Sequence, residues 1–162
     1  MAEQIAIRPP TRADGAAMWR LAAGRGLDVN SSYAYLLWCR DFAATTVVAV
    51  DPGSDELAGF VSGYRRPDEQ SVLLVWQVAV DPDHRRIGLG SRMLDAIVGM
   101  LRDLGGSHIE TTVTPGNEAS RAMFGALANR HGTGLSESEL FGADDFPEDH
   151  EPELLLRIGP FV

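Results

Sequence analysis

Between Val75 and Leu94 the chain reads VWQVAVDPDHRRIGLGSRML: an apolar run, two arginines, two glycines one residue apart and an amphipathic continuation. That order predicts a strand joined to a helix through a basic turn. Gly88 and Gly90 allow the backbone to approach an anion closely, and the first amides of the following helix have no intrahelical partner. Because a helix N-terminus also favours negative charge, Gly88, Leu89, Gly90 and Ser91 make a pyrophosphate cradle with Arg85 and Arg86 on its rim. A bare GxG would equally suit a tight turn with solvated arginines. The six-residue glycine pattern of a dinucleotide-binding turn is absent, and no Gly-Lys-Ser/Thr follows.

A second concentration of chemistry is LDVNSSYAYLLWCRDF, Leu27–Phe42. Asp28 can pair with an ammonium group, Asn30 can donate or accept, and Ser31 or Ser32 can cap a helix. Tyr33 falls in the first turn of that helix and shares a stripe with Leu36, Leu37 and Arg40, which predicts that Tyr33 faces the body of the protein. Tyr35 lies about 200° further round and is assigned to packing, as is Cys39. The third concentration is acidic: ADDFPEDHEPE, Ala143–Glu153, which includes His150. Such a run is usually a solvated loop, although it can also attract a cationic substrate.

These residues must be held by elements, and hydrophobic periodicity supplies them. Short strands are predicted over Ile5–Arg8, Thr46–Val50, Leu57–Tyr64 and Val72–Val80, the last three as an antiparallel meander. Leu94, Ile97, Val98, Leu101 and Leu104 repeat at helical spacing and predict a helix over Ser91–Leu104, stopped by Gly105-Gly106. A strand over His108–Thr114 follows, then a helix capped by Asn117 and running to about Asn129. Gly132–Phe141 and Leu154–Ile158 flank the acidic loop as final strands. The whole is expected to be one mixed α/β domain over residues 1–162.

The totals exclude several classes. A formal net charge of −9 argues against nucleic acid as partner. Cys39 is the only cysteine, which excludes an internal disulfide and a cysteine-built metal site, so no metal is expected. No apolar run approaches a membrane span and the N-terminus has no secretory pattern, so no membrane partner and a cytoplasmic location are expected.

Arg85-Arg86-Ile87-Gly88-Leu89-Gly90 resembles the R/Q-x-x-G-x-G/A acyl-CoA loop of the GNAT superfamily of N-acetyltransferases. Asn117–Phe124 resembles that family's second CoA segment, N-x-x-[AS]-x-x-x-[YF], which brings Asn117 and Ser120 into the cofactor set. The resemblance implies a GNAT-type domain, a mostly antiparallel sheet flanked by helices, and acetyl-CoA as co-substrate. It implies that Val78 and Val80 pair their backbone with pantetheine, the Val78 amide donating to the thioester oxygen as charge develops. Trp76 shares the Val78 face of the strand and so lines the transfer site or, on the plainer reading, packs in the core. Two departures stand out. Leu74 occupies the place of a glutamate common in the family, and Phe124 that of a proton-donating tyrosine.

The likeness narrows further. The 27–39 segment, with IRPPTRADGAAMW, GFVSGYRRPD, VWQVAVDP and DHEPELLLRI, resembles the diaminobutyrate acetyltransferases of ectoine biosynthesis. That implies L-2,4-diaminobutyrate as acceptor, Asp28, Asn30, Tyr33, Trp76, His150 and Glu153 as substrate contacts, and a homodimer. A relay of Asp28, Tyr33 or His150 would take the amine proton. Two alternatives stay open at this point: acetylation of another small amine (a polyamine, a lysine or an aminoglycoside), or a GNAT-like domain that binds CoA without turnover.

Overall fold

The computed structural model describes residues 4–24, 27, 30–54 and 56–162. Among the described residues seven strands form one mixed sheet: β1 (Ala6–Arg8), β2 (Val47–Val50), β3 (Leu57–Arg65), β4 (Val72–Val80), β5 (His108–Val113), β6 (Gly134–Phe141) and β7 (Glu153–Gly159), in the order β1-β2-β3-β4-β5-β7-β6. The α-helices among the described residues are α1 (Gly15–Gly24), α2 (Ser32–Asp41), α3 (Leu89–Asp103) and α4 (Glu118–Arg130). β1 pairs antiparallel with β2, β2 with β3, and β7 with both β5 and β6. β4 and β5 are parallel, Val72 facing His108 and Val75 facing Thr111, as a strand–helix–strand crossover through α3 requires.

The chain packs as two compact units, one of Met1–Tyr64 with Trp76–Met100 and one of Arg65–Val75 with Leu101–Val162. In the first, α1 and α2 lie against each other and against the sheet. Met18, Ala22, Tyr35, Cys39, Val48, Phe60 and Ala79 form its core, with Trp19, Leu21 and Leu27 packed on the margin. The α1–α2 approach depends on Gly15, where a Cβ would stand 2.8 Å from Leu36 Cδ2. The entry to α1 is held by Asp14, a buried carboxylate bonded twice to Arg8 (2.8 and 3.1 Å) and once to the Thr11 amide (2.7 Å). Burial pushes the Asp14 pKa up. The bonds from Arg8 and Thr11, with the Arg8 charge, outweigh it and hold the group below the ordinary carboxylate value.

The second unit is tied by charge. Glu110, 3% exposed in mid-strand, receives Arg157 at 2.8 Å and Arg66 at 3.6 Å, and Arg157 also bonds Glu69 at 2.8 Å. The turn between β3 and β4 is thereby fastened to β5 and β7. None of these partners is near another in sequence except Arg66 and Glu69.

Candidate active site

From Leu73 onward strand β4 alternates: Leu73, Val75, Gln77 and Ala79 are buried, while Leu74, Trp76, Val78 and Val80 are half-buried. The expected shared face of Trp76 and Val78 is therefore real. It contains no acid, as Leu74 already indicated. Gln77, on the opposite face, accepts a 2.8 Å hydrogen bond from the Tyr35 hydroxyl, and its own amide donates to Ser62 Oγ at 3.2 Å. It is a structural residue.

At the end of β4 the chain turns at once. The Asp81 amide donates to the Ala58 carbonyl at 2.8 Å, and the Asp81 carboxylate caps a 3-10 turn over Pro82–His84. Arg85 is extended, then Arg86 (φ 65°) and Gly88 (φ 73°) both enter the left-handed region before α3 begins at Leu89. For arginine that conformation costs about 1–2 kcal/mol, which the surroundings must impose. A Cβ on Gly88 would meet nothing within 4 Å. The glycine is thus required by its backbone angle, and the space over it is open to a ligand. Leu89 is buried beneath the turn, while Arg85, Arg86 and Gly88 are exposed. The Gly88 carbonyl accepts from Arg92 at 3.0 Å, opening the helix. An exposed backbone turn, two cations and a helix N-terminus converge here, and they fit a pyrophosphate.

Helix α2 corrects one expectation. Ser31 is its cap, accepting from the Ala34 amide, and Tyr33 lies in the first turn as expected. Yet Tyr33 is 65% exposed and Leu36 41%, so their stripe points outward. The inward residues are Tyr35 and Cys39, one turn apart, with Trp38 half-buried. The reason is the partner offered to each phenol: Tyr35 gains full burial with its hydroxyl satisfied by Gln77, which the other rotation of the helix would forfeit. Cys39 packs against Met18, and burial pushes its thiol up to about 11. That thiol is inert at neutral pH.

The α2 residues that meet Trp76 are Trp38, stacked at 4.7 Å between centroids, and Tyr35 at 6.4 Å. Trp38 also packs on Phe42 and Tyr64, and its Nε1 donates to Thr46 Oγ1 at 3.1 Å. Trp76 therefore belongs to an aromatic cluster, of which Trp38, Phe42 and Tyr64 went unrecognised in the sequence. Their only sequence signal is an aromatic pair four residues apart at the end of α2 and a lone tyrosine in β3. Trp76 is half-buried, with its indole stacked on that of Trp38.

Asn30 holds the entry to α2, its carbonyl accepting from Trp19 Nε1 at 3.0 Å. Asp28, the expected ammonium partner, lies outside the described residues. In the second unit, Asn117 caps α4, its side-chain oxygen accepting from the Ser120 amide at 3.1 Å, and Phe124 is buried. His150 stacks face to face on Phe146 and contacts the Glu151 carbonyl through Nδ1. Glu153 is the half-buried first residue of β7, opposite Phe141 of β6. The acidic loop is thus partly ordered by an aromatic stack, with Asp145 of its short 3-10 turn accepting from the Gly142 amide.

The family model for the acetyltransferase (GNAT) family matches residues 16–128. The L-2,4-diaminobutyric acid acetyltransferase of Streptomyces avermitilis is 50% identical over 163 residues, covering 99% of this chain and 90% of the relative. The chain belongs to the L-2,4-diaminobutyric acid acetyltransferase family of the GNAT superfamily. Another such acetyltransferase, from Nocardia farcinica, is 48% identical over 157 residues, covering 96% of this chain and 80% of its own. Among solved structures, diaminobutyrate acetyltransferase EctA from Paenibacillus lautus, in complex with its substrate L-2,4-diaminobutyric acid and coenzyme A, superposes with a TM-score of 0.90. It is 36% identical, and the match covers 98% of this chain and 96% of that one. The GNAT fold foreseen in the Arg85–Gly90 turn is the observed fold, with the expected mixed, mostly antiparallel sheet.

Proposed function

We propose that this chain transfers the acetyl group of acetyl-CoA to the γ-amino group of L-2,4-diaminobutyrate, giving N4-acetyl-L-2,4-diaminobutyrate, a step in ectoine biosynthesis. The observation that carries the reading is the Arg85–Gly88 turn, open and left-handed twice, rising from the half-buried Trp76–Val78–Val80 face directly into α3. Full-length likeness to diaminobutyrate acetyltransferases supplies the acceptor.

In this reading Arg85, Arg86 and the amides at Gly88, Leu89, Gly90 and Ser91 hold the pyrophosphate of acetyl-CoA. Asn117 and Ser120 of the second segment contribute to the same ligand. Backbone groups of Val78 and Val80 align the pantetheine, and the Val78 amide donates to the thioester oxygen, where negative charge grows as the amine attacks. No protein nucleophile is needed, in keeping with an inert Cys39. Trp76, stiffened by Trp38, packs along the substrate methylenes. Asp28, Asn30, Tyr33, His150 and Glu153 receive the charged ends of diaminobutyrate, and an exposed Tyr33 is available to a ligand as a core tyrosine would not be.

The acceptor amine, with a pKa of about 10 in water, must shed a proton before it attacks. A relay through Asp28, Tyr33 or His150 takes it. The pH–rate profiles of Asp28→Asn, Tyr33→Phe and His150→Gln test this, and a profile unmoved by all three overturns the relay. The protein is further read as a cytoplasmic homodimer. No described helix is long and apolar enough to cross a membrane, and the outermost strand β6 exposes Leu135, Leu140 and Phe141. Light scattering on the eluted protein measures that state.

The deciding experiment is mass spectrometry of the product from acetyl-CoA and L-2,4-diaminobutyrate, with the acetylated nitrogen located by NMR. A panel with ornithine, lysine and a polyamine accompanies it. Equal turnover across the panel overturns the acceptor assignment.

A further inference from the structure

The turn that feeds the acyl-CoA loop carries a histidine that acetyl transfer does not use. His84 Nε2 stands 2.9 Å from Asp51 Oδ2, and its Nδ1 stands 3.3 Å from Asp81 Oδ1. A neutral imidazole has one N–H donor, so only the imidazolium can donate to both carboxylates at once. Each carboxylate is itself fixed. Asp51, following β2, accepts from the Gly53 amide at 2.9 Å; Asp81, ending β4, accepts from the Asp83 amide at 2.9 Å. The ring therefore joins the β2–β3 turn to the end of β4 at the residue before Arg85. Two residues further on, Arg86 adopts a left-handed conformation, and such strain persists only where neighbouring structure over-determines it.

We propose that His84, clamped as an imidazolium between Asp51 and Asp81, is a positioning residue that holds the Arg85–Gly88 turn in its acyl-CoA-binding shape. The inference rests on the reading of that turn as the acyl-CoA loop. His84 touches no reacting atom. The charges facing the ring are Asp51 from the turn after β2 and Asp81 from the end of β4; Asp83 and Arg85 flank it in sequence and are exposed.

The hydrogen bond to Asp51, opposed by partial burial and aided by Asp81, raises the His84 pKa above its ordinary 6.5. The sign follows: the clamp is complete below 6.5 and is lost as pH rises through the raised value. Acetyl-CoA binding should weaken on the alkaline side.

Calorimetric titration of the full chain with acetyl-CoA, without amine, from pH 6 to 9 tests this. Wild-type affinity is expected to fall on the order of tenfold across the alkaline limb, the worth of one charge-assisted hydrogen bond. His84→Gln should be weak throughout and lack that limb. His84→Arg, a permanent cation with several donors, should hold its affinity to pH 9. In steady state His84→Gln should raise KM for acetyl-CoA while kcat and KM for diaminobutyrate stay unchanged, a split that general loss of stability would not produce. Asp51→Asn keeps the histidine but lowers its pKa, so the limb should move to lower pH even if His84→Gln fails to fold. Wild-type-like binding by His84→Gln at every pH, or an unmoved limb in Asp51→Asn, overturns the proposal. Wild-type protein that binds acetyl-CoA with this profile yet acetylates no diaminobutyrate overturns the proposed function instead.

Discussion

The two segments assigned to acyl-CoA are built on opposite principles. The Arg85–Gly88 turn is exposed, holds two left-handed residues and leaves open space above Gly88. The Asn117–Phe124 segment is an ordinary helix start, its cap bonded to Ser120 and its Phe124 buried. The first leaves backbone exposed at the expense of local strain. The second meets its own hydrogen-bonding needs and is shaped chiefly by stability. Changes in the two segments should therefore separate, one moving affinity and the other moving stability.

The sharpest way to break that contrast is Gly88→Val. A β-branched residue at φ 73° is strained, and its side chain would enter the space above the turn. KM for acetyl-CoA should rise on the order of a hundredfold, the upper range of such strain, and the same strain should lower the melting temperature by several degrees. If steady-state kinetics show an unchanged KM, the turn is not the cradle. Phe124→Tyr tests the opposite segment. It introduces the hydroxyl that the resemblance to the second CoA segment implies at this position, at a site 2% exposed. Chemical denaturation should show a loss of about 1–3 kcal/mol for an unsatisfied buried hydroxyl, without a gain in kcat.

Asn117→Ala should cost about 1 kcal/mol of stability through the lost cap, with a far smaller change in KM for acetyl-CoA than Gly88→Val. A larger affinity effect at Asn117 than at Gly88 would reverse the comparison. The smallest effect concerns a residue in neither segment. Because burial raises the Cys39 thiol to about 11, native protein at pH 7.5 should resist iodoacetamide until denatured, and acetylation should proceed unimpaired after the treatment.

Much of this was legible in one dimension because it depends on period and on neighbours. β4 was expected over Val72–Val80 and is found there; Asn117 was expected to cap a helix and does; the alternation that puts Trp76 and Val78 together is a property of any strand. The rotation of α2 was not legible. Tyr33 and Tyr35 both lie on a helix with apolar stripes, and the choice between them was made by Gln77, 42 residues beyond Tyr35. The aromatic cluster escaped for the same reason, since Trp38, Tyr64 and Trp76 come from α2, β3 and β4.

By itself, then, the sequence determined most of the elements, the glycine-containing turn between β4 and α3 and the family, because these follow from backbone periodicity, glycine conformations and short motifs. Tertiary structure alone decided which face of α2 is core, that Trp38 backs Trp76, that Glu110 is held by Arg157, and that His84 sits between two carboxylates. Asp51 and His84 are 33 residues apart. Side chains so distant meet only where strands pair and helices pack, and charge or ring geometry acts over a few ångströms of space, whatever the separation along the chain.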